Sequence, residues 1–270
     1  LDPDMDLPGY SYPQEGDADD IKHLAKLLKK SSRPLLLVGQ GALLSGAHRE
    51  LVQLAEALQA PVVTTLLGKG AFPENHTLSL GMLGMHGTAY ANKAVAECDL
   101  IFSIGSRWDD RITPAKIERF CPNALKLHID IDPAEINKIL VPDGSAVGDA
   151  KSILKDLIPL VKKLPTKPWL KTLSGYKKKF PLTYKVHGGL KAQHVLDRLY
   201  HLSKGKGCVT TDVGQHQMWA AQFLKTHAPR EWLSSGGAGT MGYGLPSAIG
   251  AQMAMPKALV MAIVGDGGFQ

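Results

Sequence analysis

Short strand-like stretches rich in apolar residues alternate along this chain with segments whose apolar residues recur at helical spacing. Residues 35–38 are a continuous apolar run, 61–66, 99–104 and 125–131 read as further strands with polar residues among the apolar ones, and 145–147 reads as a short fifth. A strand covered on one face alternates apolar with polar, whereas a continuous run marks a strand buried on both faces. Helical patterns fill the gaps. Over 17–30, Ile21, Leu24, Ala25, Leu27 and Leu28 share one stripe, with Asp17, Asp19 and Asp20 at the electropositive end and Lys29 and Lys30 at the other. Further helices are predicted over 48–59, 88–97 and 150–163. Strand–helix repetition of this kind demands a parallel sheet with helices on both faces. Residues 17–163 therefore read as one doubly wound, Rossmann-like α/β domain, preceded by a leading linker, 1–16.

Between 165 and 190 the periodicity fades among Pro165, Pro168 and Pro181, and residues 164–189 are expected to be a Lys/Pro/Gly-rich linker. A second α/β unit, 190–270, follows, with helices over 190–203, 217–224 and 246–254 and strands over 207–211, 231–234 and 258–264. It breaks off after its third strand and is read as truncated at its C-terminal end.

The net charge of +6 is concentrated rather than spread. Residues 151–191 hold eleven lysines, no arginine and one acid, Asp156, so that stretch is +10 and the remainder −4. Lysines without interleaved arginines describe a solvated connector better than a nucleic-acid surface. No apolar run approaches the ~20 residues that span a bilayer. Cys98, Cys121 and Cys208 lack metal-ligand spacing and read as buried thiols in a reducing compartment. The chain begins at Leu1 without a basic or apolar leader, so its natural N-terminus is expected to lie upstream.

The chemistry is sought at strand ends. A Gly-rich turn, Gly236 to Gly244, keeps one large apolar side chain, Met241. The last strand opens into Gly265-Asp266-Gly267-Gly268. A carboxylate there suits a hard cation that keeps phosphate oxygens, with the Gly267 and Gly268 amides left open for phosphate. A plain Asp-Gly-Gly connecting turn is the alternative. In the first domain Gly39-Gln40-Gly41 begins like a dinucleotide fingerprint, but the third glycine would fall on Leu44. Residues 39–42, 64–67, 105–107 and 130–132 share the carboxyl side of the sheet, where Arg107 would supply a cation and Asp130 an acceptor for a ribose hydroxyl. Plainer readings stand beside these. Arg107, Asp109, Asp110 and Arg111 also fit a surface ion-pair cluster, Asp130 and Asp132 fit caps for a helix at Pro133, and His86 fits an ordinary loop histidine.

The stretches Val213-Gly214-Gln215-His216-Gln217-Met218-Trp219, Ser235-Gly236-Gly237-Ala238-Gly239-Thr240-Met241-Gly242-Tyr243-Gly244 and Gly265-Asp266-Gly267 resemble the catalytic large subunit of acetolactate synthase, a thiamine-diphosphate-dependent family. Gly81-Met82-Leu83-Gly84-Met85-His86-Gly87 and Arg107-Trp108-Asp109-Asp110-Arg111 are similar to that family's FAD-contacting loops. The resemblance implies a central FAD-binding domain followed by the front of a diphosphate-binding domain. It places Gly39, Gly41, Met85, His86, Gly87, Arg107, Asp109, Asp130 and Asp149 along the FAD, and Arg111 beside FAD or the second substrate. Val213, Gly214, Gln215 and His216 would approach the diphosphate. Gly239 and Met241 would approach the aminopyrimidine, Met241 as the wedge beneath a bent cofactor, with Asp266 on Mg²⁺.

The implied reaction decarboxylates pyruvate and joins the two-carbon unit to pyruvate or 2-ketobutyrate, opening valine, leucine and isoleucine biosynthesis. A homodimer or tetramer with its site at a subunit interface, a possible regulatory small subunit, and a bacterial cytoplasmic or plastid location are implied as well, with no nucleic acid or membrane partner. Trp108 and Pro114 stand where the family commonly has Phe and Gly, and Gly268 where some members have Ser. The resemblance assigns the proton-donating glutamate and a metal-completing asparagine to segments outside this chain, so the chain alone is expected to be inactive. Competing readings are a sister enzyme (pyruvate oxidase, glyoxylate carboligase, sulfoacetaldehyde acetyltransferase), a non-catalytic FAD or nucleotide-binding module, and a basic RNA-binding linker.

Overall fold

The computed structural model describes residues 12–270. The leading linker is therefore seen only from Tyr12 onward. Its last residues pack on the first unit: the Asp149 amide donates to the Gln14 carbonyl, and Gly16 lies against Ile153.

The first unit is a six-stranded, wholly parallel sheet in the order β3-β2-β1-β4-β5-β6. Its strands are β1 (Pro34–Val38), β2 (Val62–Thr64), β3 (Ser79–Met82), β4 (Leu100–Ile104), β5 (Leu125–Asp130) and β6 (Gly144–Val147). Side-chain alternation sends successive strand residues into two cores. Leu36, Val38, Phe102 and Ile104 face one core with α1 (Ala18–Leu28), α3 (His48–Leu58) and α5 (Ala150–Leu157). Leu35, Leu37, Val63 and Ile101 face the other, with α4 (Ala89–Glu97). Both faces are covered, and two of the buried polar side chains among these strands, Ser103 and His128, each hydrogen-bond to the Ser106 carbonyl. Asp17 caps α1 by accepting from the Asp19 and Asp20 amides, and Thr88 caps α4.

Three segments differ from the sequence reading. Gln40–Leu44, given no element there, is a short helix, α2. Residues 79–82, also given none, form edge strand β3; a polar residue and a glycine in four leave little strand signal. The flexible linker is the largest miss. Lys167–Lys179 is a thirteen-residue helix, α6, packed on the first unit. Trp169 and Leu173 are buried in the second core, Trp169 Nε1 donates to the Pro34 carbonyl (3.0 Å), and Tyr176 Oη donates to the Glu97 carboxylate (2.7 Å). Trp169, Leu173 and Tyr176 follow helical spacing on one stripe, while most of the lysines that dominate the composition point outward. Pro168 sits in the first turn, where no amide is needed, and Pro181 follows the end.

The second unit has the parallel sheet β8-β7-β9, from β7 (Cys208–Thr211), β8 (Trp232–Ser234) and β9 (Val260–Ile263). Helices α7 (Ala192–Leu202), α8 (Gln215–Phe223) and α9 (Gly244–Ala254) flank it, and Asp266–Phe269 forms a final turn of helix, α10. The two units meet over a packed contact. Met82 of β3 joins Leu196, Val209, Ala220 and Trp232 in one cluster. Beside it Lys69, fully buried, pairs with Glu74 (2.8 Å) and lies 5.4 Å from the Trp232 ring, while Glu74 also accepts from the Thr226 amide (2.7 Å). Among the described residues no helix is long and apolar enough to cross a membrane. Cys98, Cys121 and Cys208 are free and buried.

Candidate functional site

Because both sheets are parallel, every loop that follows a strand emerges on one edge. In the second unit three such loops converge. After β7 come Asp212, Val213 and Gly214, with Gln215 and His216 opening α8. After β8 comes the Gly-rich turn, and after β9 come Gly265 and Asp266. Gly237, Gly239 and Gly242 have φ of +71°, +68° and +83°, a left-handed conformation that side chains disfavour. The turn is also pinned at both ends. Gln217 Nε2 donates to Ser234 Oγ (2.8 Å) and the Ser235 carbonyl (3.0 Å), and Ser235 Oγ accepts from the Thr240 amide (2.7 Å). At the far end, Thr210 Oγ1 donates to the Gly244 carbonyl (2.8 Å) and Asp212 Oδ1 accepts the Gly244 amide.

Within this frame Met241 is 61% exposed, unusual for a large apolar side chain held by so rigid a turn. Its Cε reaches Gly267, passing 3.1 Å from where a Cβ there would sit. Asp266 is exposed, its Oδ1 accepting only from the neighbouring Gly267 amide (2.9 Å). His216 lies against Gly265 and Gly214, and its Nε2 is buried with no hydrogen-bond partner. The structure thus brings Met241, Gly267, Asp266 and His216 to one edge. Asp212, which sequence reasoning left out, is wholly buried beside Gly244 and Gly268; the signal available was an acid directly following a buried strand.

The first unit's residues divide into groups. Gly39 and Gly41 interlock with Gly105: the Gly41 amide donates to the Gly105 carbonyl (3.0 Å), and a Cβ on Gly41 would lie 2.9 Å from Gly105 Cα. These glycines are explained by backbone approaching backbone at the point where strand order reverses. Trp108 is buried with φ +59°, edge-on to Phe120 and His128. Its Nε1 donates to His128 Nδ1 (3.3 Å), which fixes His128 with its proton on Nε2, donating to the Ser106 carbonyl (2.9 Å). This anchor turns Arg107 and Arg111 outward. Arg107 is 3.7 Å from Asp109 and Arg111 is 3.0 Å from Asp110, both exposed pairs of little energetic weight. The surface-cluster geometry is therefore present, and it leaves both guanidinium groups accessible.

Met85 and His86 are exposed, whereas Gly87 is wedged against Leu83 and the Met82 carbonyl. Met85 and Arg111 share a cavity of about 550 Å³ with Asn92, Thr113, Arg119 and Phe120. Asp130 accepts from the Asp132 amide (3.1 Å), and Asp132 in turn caps the short helix at Pro133. Asp149 caps α5. It lies beyond β6, at the opposite sheet edge from the Met85 loop, so a ligand touching both would have to run along the whole carboxyl edge. The two units' loops also meet. A Cβ on Gly237 would lie 3.8 Å from Arg107 Nη2, one on Gly236 would lie 2.6 Å from Leu67 Cδ1, and Gln222 Nε2 donates to the His86 carbonyl (2.8 Å).

A pair of parallel α/β units with Gly-rich loops gathered on their carboxyl edges defines a class of cofactor-handling protein. Residues 21–157 match the thiamine pyrophosphate enzyme central domain, and residues 212–270 match the thiamine pyrophosphate enzyme C-terminal TPP binding domain. The chain belongs to the thiamine pyrophosphate enzyme family. It is 49% identical to the probable acetolactate synthase large subunit of Methanocaldococcus jannaschii, over 98% of this chain and 46% of that protein. It is 48% identical to the acetolactate synthase large subunit of Cyanidium caldarium, over 93% of this chain and 44% of that one. With acetolactate synthase 3, chloroplastic, of Brassica napus it shares 46% identity over 99% of this chain and 42% of the relative. The chain spans less than half the length of each of these relatives.

Proposed function

We propose that this chain forms part of an acetolactate synthase large subunit, holding thiamine diphosphate and Mg²⁺ on the carboxyl edge of its second sheet and FAD along that of its first. The observation that carries the reading is Met241, projected from a left-handed glycine turn across to Gly267, beside the exposed Asp266. The residues present fit the group. Among the described residues no cluster of three or more His, Cys, Asp or Glu can cage a metal. One available carboxylate is what a Mg²⁺ that keeps phosphate oxygens requires.

When bound, thiamine diphosphate supplies the carbon nucleophile and electron sink for removing CO₂ from a 2-ketoacid. The protein's part is placement. Asp266 would ligate the metal, and the Gly267 and Gly268 amides, with Val213, Gly214, Gln215 and His216, would face the diphosphate. Met241 would wedge the cofactor's two rings into a bent shape, with the Gly239 backbone against the aminopyrimidine. Arg111, exposed at the mouth of the 550 Å³ cavity, would hold the carboxylate of the second 2-ketoacid, pyruvate or 2-ketobutyrate. An elongated FAD along the first sheet would meet Met85, His86 and Gly87 at one end and Arg107, Asp109, Asp130 and Asp149 further along. The glycines Gly39 and Gly41 would support that edge from beneath.

Exposed apolar residues on α9 and just before β9, including Ile249, Met253 and Leu259, support burial against further protein, as in a homodimer or tetramer. A regulatory small subunit and a bacterial cytoplasmic or plastid site of action belong to the same proposal. The test is calorimetric titration of the intact protein with thiamine diphosphate in Mg²⁺, alongside flavin absorbance and acetolactate formation from pyruvate. Flavin retention without thiamine diphosphate binding would favour a nucleotide-binding module instead, and peroxide in place of acetolactate would favour a sister oxidase.

A further inference from the structure

Asp212 is an acid that the reading above gives no task. It is wholly buried at the end of β7. Its Oδ1 accepts the Gly244 amide, whereas its Oδ2 is buried without any hydrogen-bond partner. A buried carboxylate oxygen left unpaired is costly, so its retention calls for an explanation. The surroundings supply one. Oδ2 is turned to Gly268, so closely that a Cβ on Gly268 would overlap it, and that same Cβ position is 3.3 Å from the Gly242 amide nitrogen. One side chain therefore stands between the Gly-rich turn and the turn that carries Asp266. Thr210, two residues earlier on β7, holds the Gly244 carbonyl, so β7 and the residue that follows it grip both polar backbone atoms of the residue that opens α9.

We propose that Asp212 is a positioning residue for the metal–diphosphate site. It braces the Gly-rich turn through Oδ1, and Oδ2 receives a backbone amide of the 242 or 268 turn when the Asp266 turn closes on its ligand. It touches neither metal nor diphosphate, and it acts by fixing where Asp266 stands relative to Met241. This rests on thiamine diphosphate binding at this edge, as proposed above.

The two oxygens can be tested separately. Asp212→Asn can keep an acceptor for the Gly244 amide and replaces Oδ2 by a donor, which repels an incoming amide. In the intact protein, Mg²⁺ half-saturation is titrated at fixed thiamine diphosphate by the quenching of tryptophan fluorescence, with thermal unfolding of the unliganded protein and flavin content measured in parallel. The expected result is a rise of about tenfold in the Mg²⁺ requirement, the scale for an outer partner of a metal ligand, with unliganded unfolding and flavin content unchanged. A rise smaller than about threefold overturns the assignment, as does a loss of flavin equal to the loss of Mg²⁺ affinity. Asp212→Ala, which removes both contacts, should weaken thiamine diphosphate binding further than Asp212→Asn, and equal effects would also count against the brace. If the parent protein fails to bind thiamine diphosphate, it is the cofactor reading that has failed.

Discussion

Replacing Glu74 by Gln should destabilise the chain by several kcal/mol through a residue far from any ligand. Lys69 is fully buried, and its Nζ meets Glu74 Oε1 and Oε2 at 2.9 and 2.8 Å, with the Trp232 ring 5.4 Å away. The side-chain carbonyl of the Glu74→Gln variant could still accept from the Thr226 amide, so the backbone link at 2.7 Å would survive. The lost quantity is the counter-charge. An ammonium stranded in a dry contact costs about 3–5 kcal/mol, and at about 2–4 °C per kcal/mol for a chain of this class the midpoint should fall by about 6–20 °C. Lys69→Met should cost a similar amount, and the double variant Lys69→Met with Glu74→Gln should recover most of the loss, because a neutral pair leaves no buried charge. Urea titration followed by tryptophan fluorescence measures all three. A loss below about 1 kcal/mol for Glu74→Gln, the value of an exposed pair, would refute the reasoning and mean that water reaches Lys69.

Met241→Ala should leave thiamine diphosphate binding near its parent value while lowering kcat about a hundredfold, since a misplaced reacting geometry costs about that much; parallel binding and steady-state measurements separate the two. Trp108→Phe removes the donor to His128 Nδ1 and should cost about 1–2 kcal/mol in urea unfolding, with weakened flavin retention because the Arg107–Arg111 loop loses its anchor. Burial pushes the Cys121 thiol up to about 12, and burial with nearby Cys121 and Asp99 raises Cys98 well above its ordinary value. Both folded thiols therefore stay protonated while an unfolded thiol ionises near 9, so their stabilisation is complete below that pH and fades as pH rises from about 9 toward 12. A thiol reagent at about pH 8, below the ordinary thiol range, should react with neither until the protein unfolds.

Much of the fold was legible because burial on both faces writes itself into composition: Leu35 to Val38 is apolar throughout, and Leu100 to Ile104 is broken only by Ser103. Helix α6 escaped because its signal is carried by Trp169, Leu173 and Tyr176 among five lysines, with three prolines in or beside it. Average composition hides a narrow apolar stripe. Strand β3 escaped for the opposite reason, being too short and too polar at Ser79 and Gly81 to show a period. In the site, Asp266 and Met241 stand out because each breaks the expectation of its surroundings, a charge after an apolar strand and an apolar side chain among glycines. Asp212 and Trp108 act only through contacts with residues distant in sequence, Gly244 and Gly268 in one case and His128 in the other. No local pattern announces such partners. Gly39 and Gly41 carry a constraint that their spacing alone does not show, the backbone of Gly105 packed against both.

The central claim is that the turn at Asp266, facing Met241, holds the metal and diphosphate with which pyruvate is converted. It is tested most directly by assaying the intact protein and its Asp266→Asn variant for acetolactate from pyruvate, with and without thiamine diphosphate and Mg²⁺. The account predicts acetolactate formation that requires both additions in the parent and is lost in the variant, whose flavin content is unchanged. Acetolactate formation by Asp266→Asn at the parent's rate and Mg²⁺ dependence would contradict it.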